Sequence, residues 1–171
     1  MSILFKEIAH IYESIENDSI NWTSVTSFIS MFKPKFNAKQ QAKKSSKNKK
    51  SKWYNMSEKD ILKAWDNETE RAITLGNWYH LQREKDILDC TTIQRNGVDL
   101  AIIKPIIDQN GIKIAPKQKL DEGLYPEHLV YLKSVGLCGQ ADLVEIINGT
   151  INITDYKYTR CSGYKPSSNF C

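Results

Sequence analysis

Apolar positions along the chain follow two rhythms, a helical one up to about residue 90 and a strand-like one after it. In residues 2–16, Ile3, Leu4, Ile8, Ile11, Tyr12 and Ile15 stand near helical spacing and predict an amphipathic helix, closed by Asn17, Asp18 and Ser19. The stretch NWTSVTSFISMF, residues 21–32, mixes β-branched and aromatic residues with hydroxyls. It reads as a short strand or as a second helix capped by Thr23 or Ser24, and the helix is the favoured reading. Ser57 is a good N-cap, with Glu58 and Asp60 placed to complement the helix dipole. Behind it Ile61, Leu62, Trp65, Thr69, Ala72, Ile73 and Leu75 form an apolar stripe. The stripe continues past Gly76 through Trp78 and Leu81 to about Leu88, which makes this the longest predicted helix.

After Cys90 the turn dipeptides Asn96-Gly97, Asn110-Gly111 and Asn148-Gly149 separate β-rich runs: LAIIKPII, GIKIAP, EHLVYLKSV, GQADLVEII and TINITDYKY. Pro105 demotes the first run to an edge or a bend. The last two runs, joined at Asn148-Gly149, make the best hairpin in the sequence. Helices first and an antiparallel meander after them predict an α/β chain of the α+β type, with helices packed on an antiparallel-rich mixed sheet.

Length and composition narrow this picture. A chain of 171 residues fits one domain spanning residues 1–171. With 40% hydrophobic and 26% charged residues it is neither disordered throughout, collagen-like nor a coiled coil. No apolar run is long enough to span a membrane. Glu7, Glu13 and Glu16 interrupt what would be the core of a secretory signal. Four scattered cysteines predict plain thiols in a reducing, cytoplasmic setting rather than a disulfide framework.

Charge changes the picture more. The net charge of +4 conceals nine lysines and no acid between Lys33 and Lys52. The remainder of the chain carries 15 basic residues against 20 acidic ones, a net of −5. Residues 33–52 are therefore expected to be a flexible lysine-rich loop on an acidic body. Lys43, Lys44, Lys47, Lys49, Lys50 and Lys52 could neutralise phosphates without regard to sequence, and Trp53 and Tyr54 beside them could stack on single-stranded bases.

Candidate chemistry concentrates at two places. In TINITDYKY, period-2 alternation sets Ile151, Ile153, Asp155 and Lys157 on one face, so a face that begins apolar ends in a carboxylate and an ammonium. Asp142 likewise interrupts the core-like run GQADLVEII between Ala141 and Leu143. Taken singly, Asp155-x-Lys157 is equally an ion pair at a strand end. On the long helix, Gly76, His80 and Glu84 share one face by their spacing of four, and the glycine predicts a close approach of helix to sheet.

Gly76-x-x-x-His80, Gly139-x-x-Asp142 and Asp155-Tyr156-Lys157, in that order, resemble the PD-(D/E)XK nuclease superfamily. Within it the chain is similar to the RecB-like exonuclease branch, including phage and mitochondrial genome maintenance exonucleases. The stretch Asn21-Trp22-Thr23-Ser24-Val25-Thr26 is similar to the segment that precedes the core in the mitochondrial-type members. The resemblance covers roughly residues 20–160 and implies a restriction-endonuclease-like core. It implies Mg²⁺ or Mn²⁺ held by Asp142, Asp155, His80 and the backbone carbonyl of Tyr156. Lys157 would position the attacking water, giving Asp142, Asp155 and Lys157 as the catalytic set. Glu127 falls where members often carry an acidic residue, and Glu84 is a further candidate beside His80.

Two features depart from that family. Tyr158 intervenes before Thr159, where the family reads Asp-x-Lys-Thr, and the family's helix with Gln-x-x-x-Tyr has no counterpart among the 14 residues after Lys157. The expectation is a truncated chain, or one completed by a partner chain or by self-association. The scattered cysteines do not match the ligands of an iron–sulfur cluster. The function implied is a metal-dependent DNA exonuclease acting on single strands or duplex ends, in the cytoplasm of a bacterium or of a phage's host. The alternatives are an inactive nuclease-fold module that binds nucleic acid through its lysines, and a structural or interaction domain.

Overall fold

The computed structural model describes residues 3–6, 11–15, 19–115 and 119–157. It is a mixed chain of helices and antiparallel-rich sheets, the α+β class expected. Contacts divide the chain, expected from its length as one domain, into two compact units: Met1–Phe32 with His80–Cys171, and Lys33–Tyr79.

The first unit opens with β1 (Ile3–Lys6) and β2 (Ile11–Ser14), paired antiparallel. This corrects the amphipathic helix predicted over residues 2–16. Ile3 and Phe5 alternate with Leu4 and Lys6 as well as they fit a helix, and pairing of β1 with β7 (Lys113–Ala115) decides the matter. β6 (Ile106–Ile107) completes a sheet of order β2-β1-β7-β6. β3 (Thr23–Ser24) leads into α1 (Val25–Met31), where Ser24 is the N-cap and its hydroxyl accepts from the Ser27 N–H at 3.1 Å. The favoured helical reading of this stretch therefore stands.

β4 (Thr92–Arg95) and β5 (Val98–Ala101) form a hairpin on Asn96-Gly97. β8 (Gly123–Leu132), β9 (Leu137–Ile147) and β10 (Thr150–Thr154) form the second sheet, with β9 at its centre. β8 runs along one edge of β9; β10 and, in parallel, β3 take the other. Asn148 and Gly149 both have positive φ, 50° and 72°, as a two-residue hairpin turn requires. Gly136, at φ 64°, makes the tight return from β8 to β9 against the Asn21 carbonyl, which an added Cβ would meet at 2.9 Å.

One core cluster joins Ile87 to Ile93, Leu100, Leu124, Leu143 and Ile147, so the last turns of the long helix pack on the hairpin and the central sheet. A second, of Ile3, Phe5, Leu129 and Cys138, ties β1 to β8 and β9. Ile151 and Ile153, which begin the apolar face of TINITDYKY, are exposed, with nothing described packed over that face. Cys138 is a free thiol that burial pushes up to about 11. Cys90 is disulfide-bonded, which departs from the expectation of plain thiols; Cys161 and Cys171 lie outside the described residues.

The second unit holds α2 (Ala38–Lys47) and the first part of α3 (Glu58–Leu88). The loop expected over residues 33–52 is thus helical through half its length. Asn37 caps it, accepting from the Gln40 N–H at 3.0 Å, and Ala42 is wholly buried. α3 begins where Ser57 predicted: its hydroxyl accepts from the Asp60 N–H at 3.1 Å and donates to the Asp60 carboxylate at 2.6 Å. The helix runs on to Leu88, as the apolar stripe indicated. Gly76 corrects one expectation, because a Cβ added there would meet nothing within 4 Å. The glycine is not the point of a close approach among the described residues.

Candidate metal centre

β9 carries Asp142 midway along its length, and the ladder with β8 brackets it. Pro126 pairs with Leu143 and His128 with Ala141, so the register brings Glu127 opposite Asp142. That rung is not closed, because Glu127 has φ 51°. A left-handed backbone at a residue other than glycine costs on the order of 1–3 kcal/mol and persists only where its surroundings impose it. Two carboxylates opposite each other also repel. Glu127 is nonetheless anchored: the Gln140 amide donates to its carboxylate and, at 3.4 Å, to its backbone carbonyl.

α3 contributes His80, whose Nδ1 lies 3.2 Å from Asp142 Oδ1. The other Asp142 oxygen accepts from the Tyr156 N–H at 2.6 Å. The Tyr156 ring meets His80 edge-on at 6.4 Å, and burial, with Glu145 and Asp142 close by, pushes its phenol up to about 12. One donor atom each from His80, Glu127 and Asp142 falls within 4.8 Å of the others, and all three side chains are half-buried.

The donor set fits a divalent cation. Two carboxylates supply the hard oxygens that Mg²⁺ and Mn²⁺ prefer, and an imidazole favours Mn²⁺ of the two. A cation between Glu127 and Asp142 would also turn their repulsion into attraction.

Of the residues predicted for the site, His80, Asp142 and Glu127 come together. Asp155 and Lys157 do not join them: they pair with each other at 3.0 Å just beyond β10, with side chains 65% and 77% exposed. Tyr156 reaches the group through its N–H on Asp142. Glu84 stands one helical turn beyond His80 and faces the Lys113 ammonium at 3.8 Å; the same ammonium is 3.9 Å from Glu127. Sequence reasoning missed Lys113. Its signal was a lone charge between Ile112 and Ile114 in a strand-like run.

In the second unit, Lys43, Lys44, Lys47, Lys49, Lys50 and Lys52 are all exposed, four of the nine lysines of the segment lying on α2. Trp53 is edge-on to Trp65 at 6.5 Å, and the Lys52 ammonium sits 4.4 Å from a Trp53 ring centre, so that aromatic face is already occupied. Tyr54 is exposed. No helix among the described residues is long and apolar enough to cross a membrane.

No protein-family profile, no curated protein and no solved structure matches the chain.

Proposed function

We propose that the chain is a metal-dependent DNA nuclease similar to the RecB-like branch of the PD-(D/E)XK superfamily, an exonuclease acting on single strands or duplex ends. The observation that carries the reading is the convergence of His80, Glu127 and Asp142 from a helix and two adjacent strands. These three residues would hold Mg²⁺ or Mn²⁺. Such an ion, when bound, neutralises charge on a phosphodiester and acidifies a water at neutral pH.

The chain's own residues supply the rest. Thr154 pairs with Leu143, so one more rung of the β9–β10 ladder brings Asp155 opposite Asp142. Asp155 and Lys157, both turned to solvent, would have to swing towards the group to add a third carboxylate and a fixed positive charge for the reacting phosphate. The exposed lysines of residues 33–52 would bind the DNA backbone, in an interaction that weakens with salt. The cytoplasm, where such a substrate is found, is the location that accords with this role.

The solvent-exposed Asp155–Lys157 pair favours a second reading, a catalytically silent nucleic-acid-binding module. End-labelled single- and double-stranded DNA incubated with Mn²⁺ or Mg²⁺ separates the two. The nuclease reading expects metal-dependent cleavage that is lost in Asp142→Ala and impaired in both Asp155→Ala and Lys157→Ala. Salt-sensitive binding without cleavage selects the silent module, and cleavage that survives Asp142→Ala contradicts the proposed site.

A further inference from the structure

Among the described residues β9 pairs with one edge of β10 and no strand pairs with the other. The hairpin decides which backbone groups that outer edge presents. Asn148 and Gly149, both at positive φ, make a two-residue turn, so the flanking Ile147 and Thr150 form a hydrogen-bonded pair. Bonding alternates along an antiparallel ladder, and Thr150, Asn152 and Thr154 therefore direct their N–H and C=O groups to β9. Ile151 and Ile153 direct theirs outward, and their side chains are 66% and 68% exposed.

Natural proteins guard a free strand edge with a charge, a proline or a bulge. Here there is none: β10 reads TINIT, its register with β9 is unbroken, and no charged residue lies between Glu145 and Asp155. TINIT also reads the same in both directions, so it matches a second copy of itself run antiparallel. Centred on Asn152, that pairing sets Ile151 opposite the partner's Ile153 and Thr150 opposite the partner's Thr154. The outward N–H and C=O groups of each isoleucine then meet those of the other, and like β-branched residues are favourable cross-strand neighbours. A register moved by one residue would set outward groups against residues whose groups β9 already uses. Centring on Ile153 would oppose Ile151 to Asp155, and centring on Ile151 would oppose Ile153 to Gly149.

We propose that β10 is a self-association edge: two copies of the chain pair antiparallel through Thr150–Thr154, about a two-fold axis at Asn152. The sheet of β8, β9 and β10 runs on into that of the partner. Such a contact uses the same strand on both copies, so it closes at a dimer and leaves neither edge open. One strand pair is a small interface, and association of micromolar strength or weaker is expected. Neither a bound metal nor nuclease activity is needed for it.

The test is sedimentation equilibrium of the full chain from low micromolar to sub-millimolar concentration, with amide hydrogen exchange at both ends of that range. A reversible monomer–dimer equilibrium is expected, and the Ile151 and Ile153 amides should exchange more slowly as the dimer fills. Ile153→Pro removes an outward N–H that β9 does not use, so the hairpin is kept. It should weaken dimerisation about 10- to 100-fold, the worth of two hydrogen bonds per dimer. Ile151→Lys and Ile153→Glu should each weaken it too, and the double variant, which sets the lysine opposite the partner's glutamate, should restore it. That charge pair serves if Ile153→Pro does not fold. A chain that stays monomeric throughout, or a dimer indifferent to Ile153→Pro and to the charge pair, would overturn the proposal. Protection of both amides in the monomer would overturn it as well, because the edge would then be held by another part of the same chain.

Discussion

Asp142 on β9 and Asp155 just beyond β10 each follow the last pair of a shared ladder by one residue, yet one side chain is 15% exposed and the other 65%. Between Asp155 and Lys157, it is Tyr156 that turns inward. Its N–H caps Asp142, and its ring packs beside the cluster of Ile87, Leu124 and Leu143. Turning the tyrosine in buries aromatic surface, whereas turning Asp155 in would set a third carboxylate against Asp142 and Glu127. Accordingly Tyr156 packs against the core while Asp155 meets solvent. A motif's spacing thus places the backbone, and the local charge balance decides which side chain faces the site.

That contrast can be broken or sharpened by substitution. Leu143, 2% exposed and next to Asp142, should show the largest loss of stability: Leu143→Ala is expected to cost about 2–5 kcal/mol in urea unfolding. A cost under about 1 kcal/mol would mean that the inner side of β9 is not packed as described.

Tyr156 gives a pH signature. Its phenol titrates at about 12 in the folded chain against 10.0 when unperturbed, so above pH 10 the unfolded state loses its proton first. Stability contributed by the buried neutral phenol is present below pH 10 and falls as the pH rises towards 12. Tyr156→Phe should flatten that part of the alkaline unfolding profile, and an unchanged slope would place the ring in solvent beside Asp155.

Ser57→Ala removes the cap of the helix that carries His80 and should cost about 1 kcal/mol by thermal denaturation. Asp155→Ala and Lys157→Ala come last: with both side chains exposed, each should change stability by less than about 0.5 kcal/mol. A larger cost would show the pair to be part of the packed site in solution.

What was legible in the sequence was largely local. Ser57 with Asp60, the stripe to Leu88 and the asparagine–glycine turns each encode their structure within a few residues. Ile3 and Phe5 were not decidable locally, because a short apolar run fits both periods and its partner β7 lies more than 100 residues away. Over residues 38–47 the density of lysines concealed good helix formers, Ala38, Gln40, Gln41 and Ala42, behind an asparagine cap.

At the site, His80 and Asp142 were readable because helix spacing and strand interruption marked them. Glu127 gained its place from a backbone kink that residue type does not announce. Lys113 gained its place from a sheet that pairs non-neighbouring segments.

The central claim is that His80, Glu127 and Asp142 form one divalent-cation site. Titration of the full chain with Mn²⁺, read by electron paramagnetic resonance of the free ion, tests it most directly. Saturable binding of one ion per chain is expected, abolished by Asp142→Ala and by Glu127→Gln. Absence of saturable binding by the wild-type chain, or binding unchanged in both Asp142→Ala and Glu127→Gln, would contradict the account.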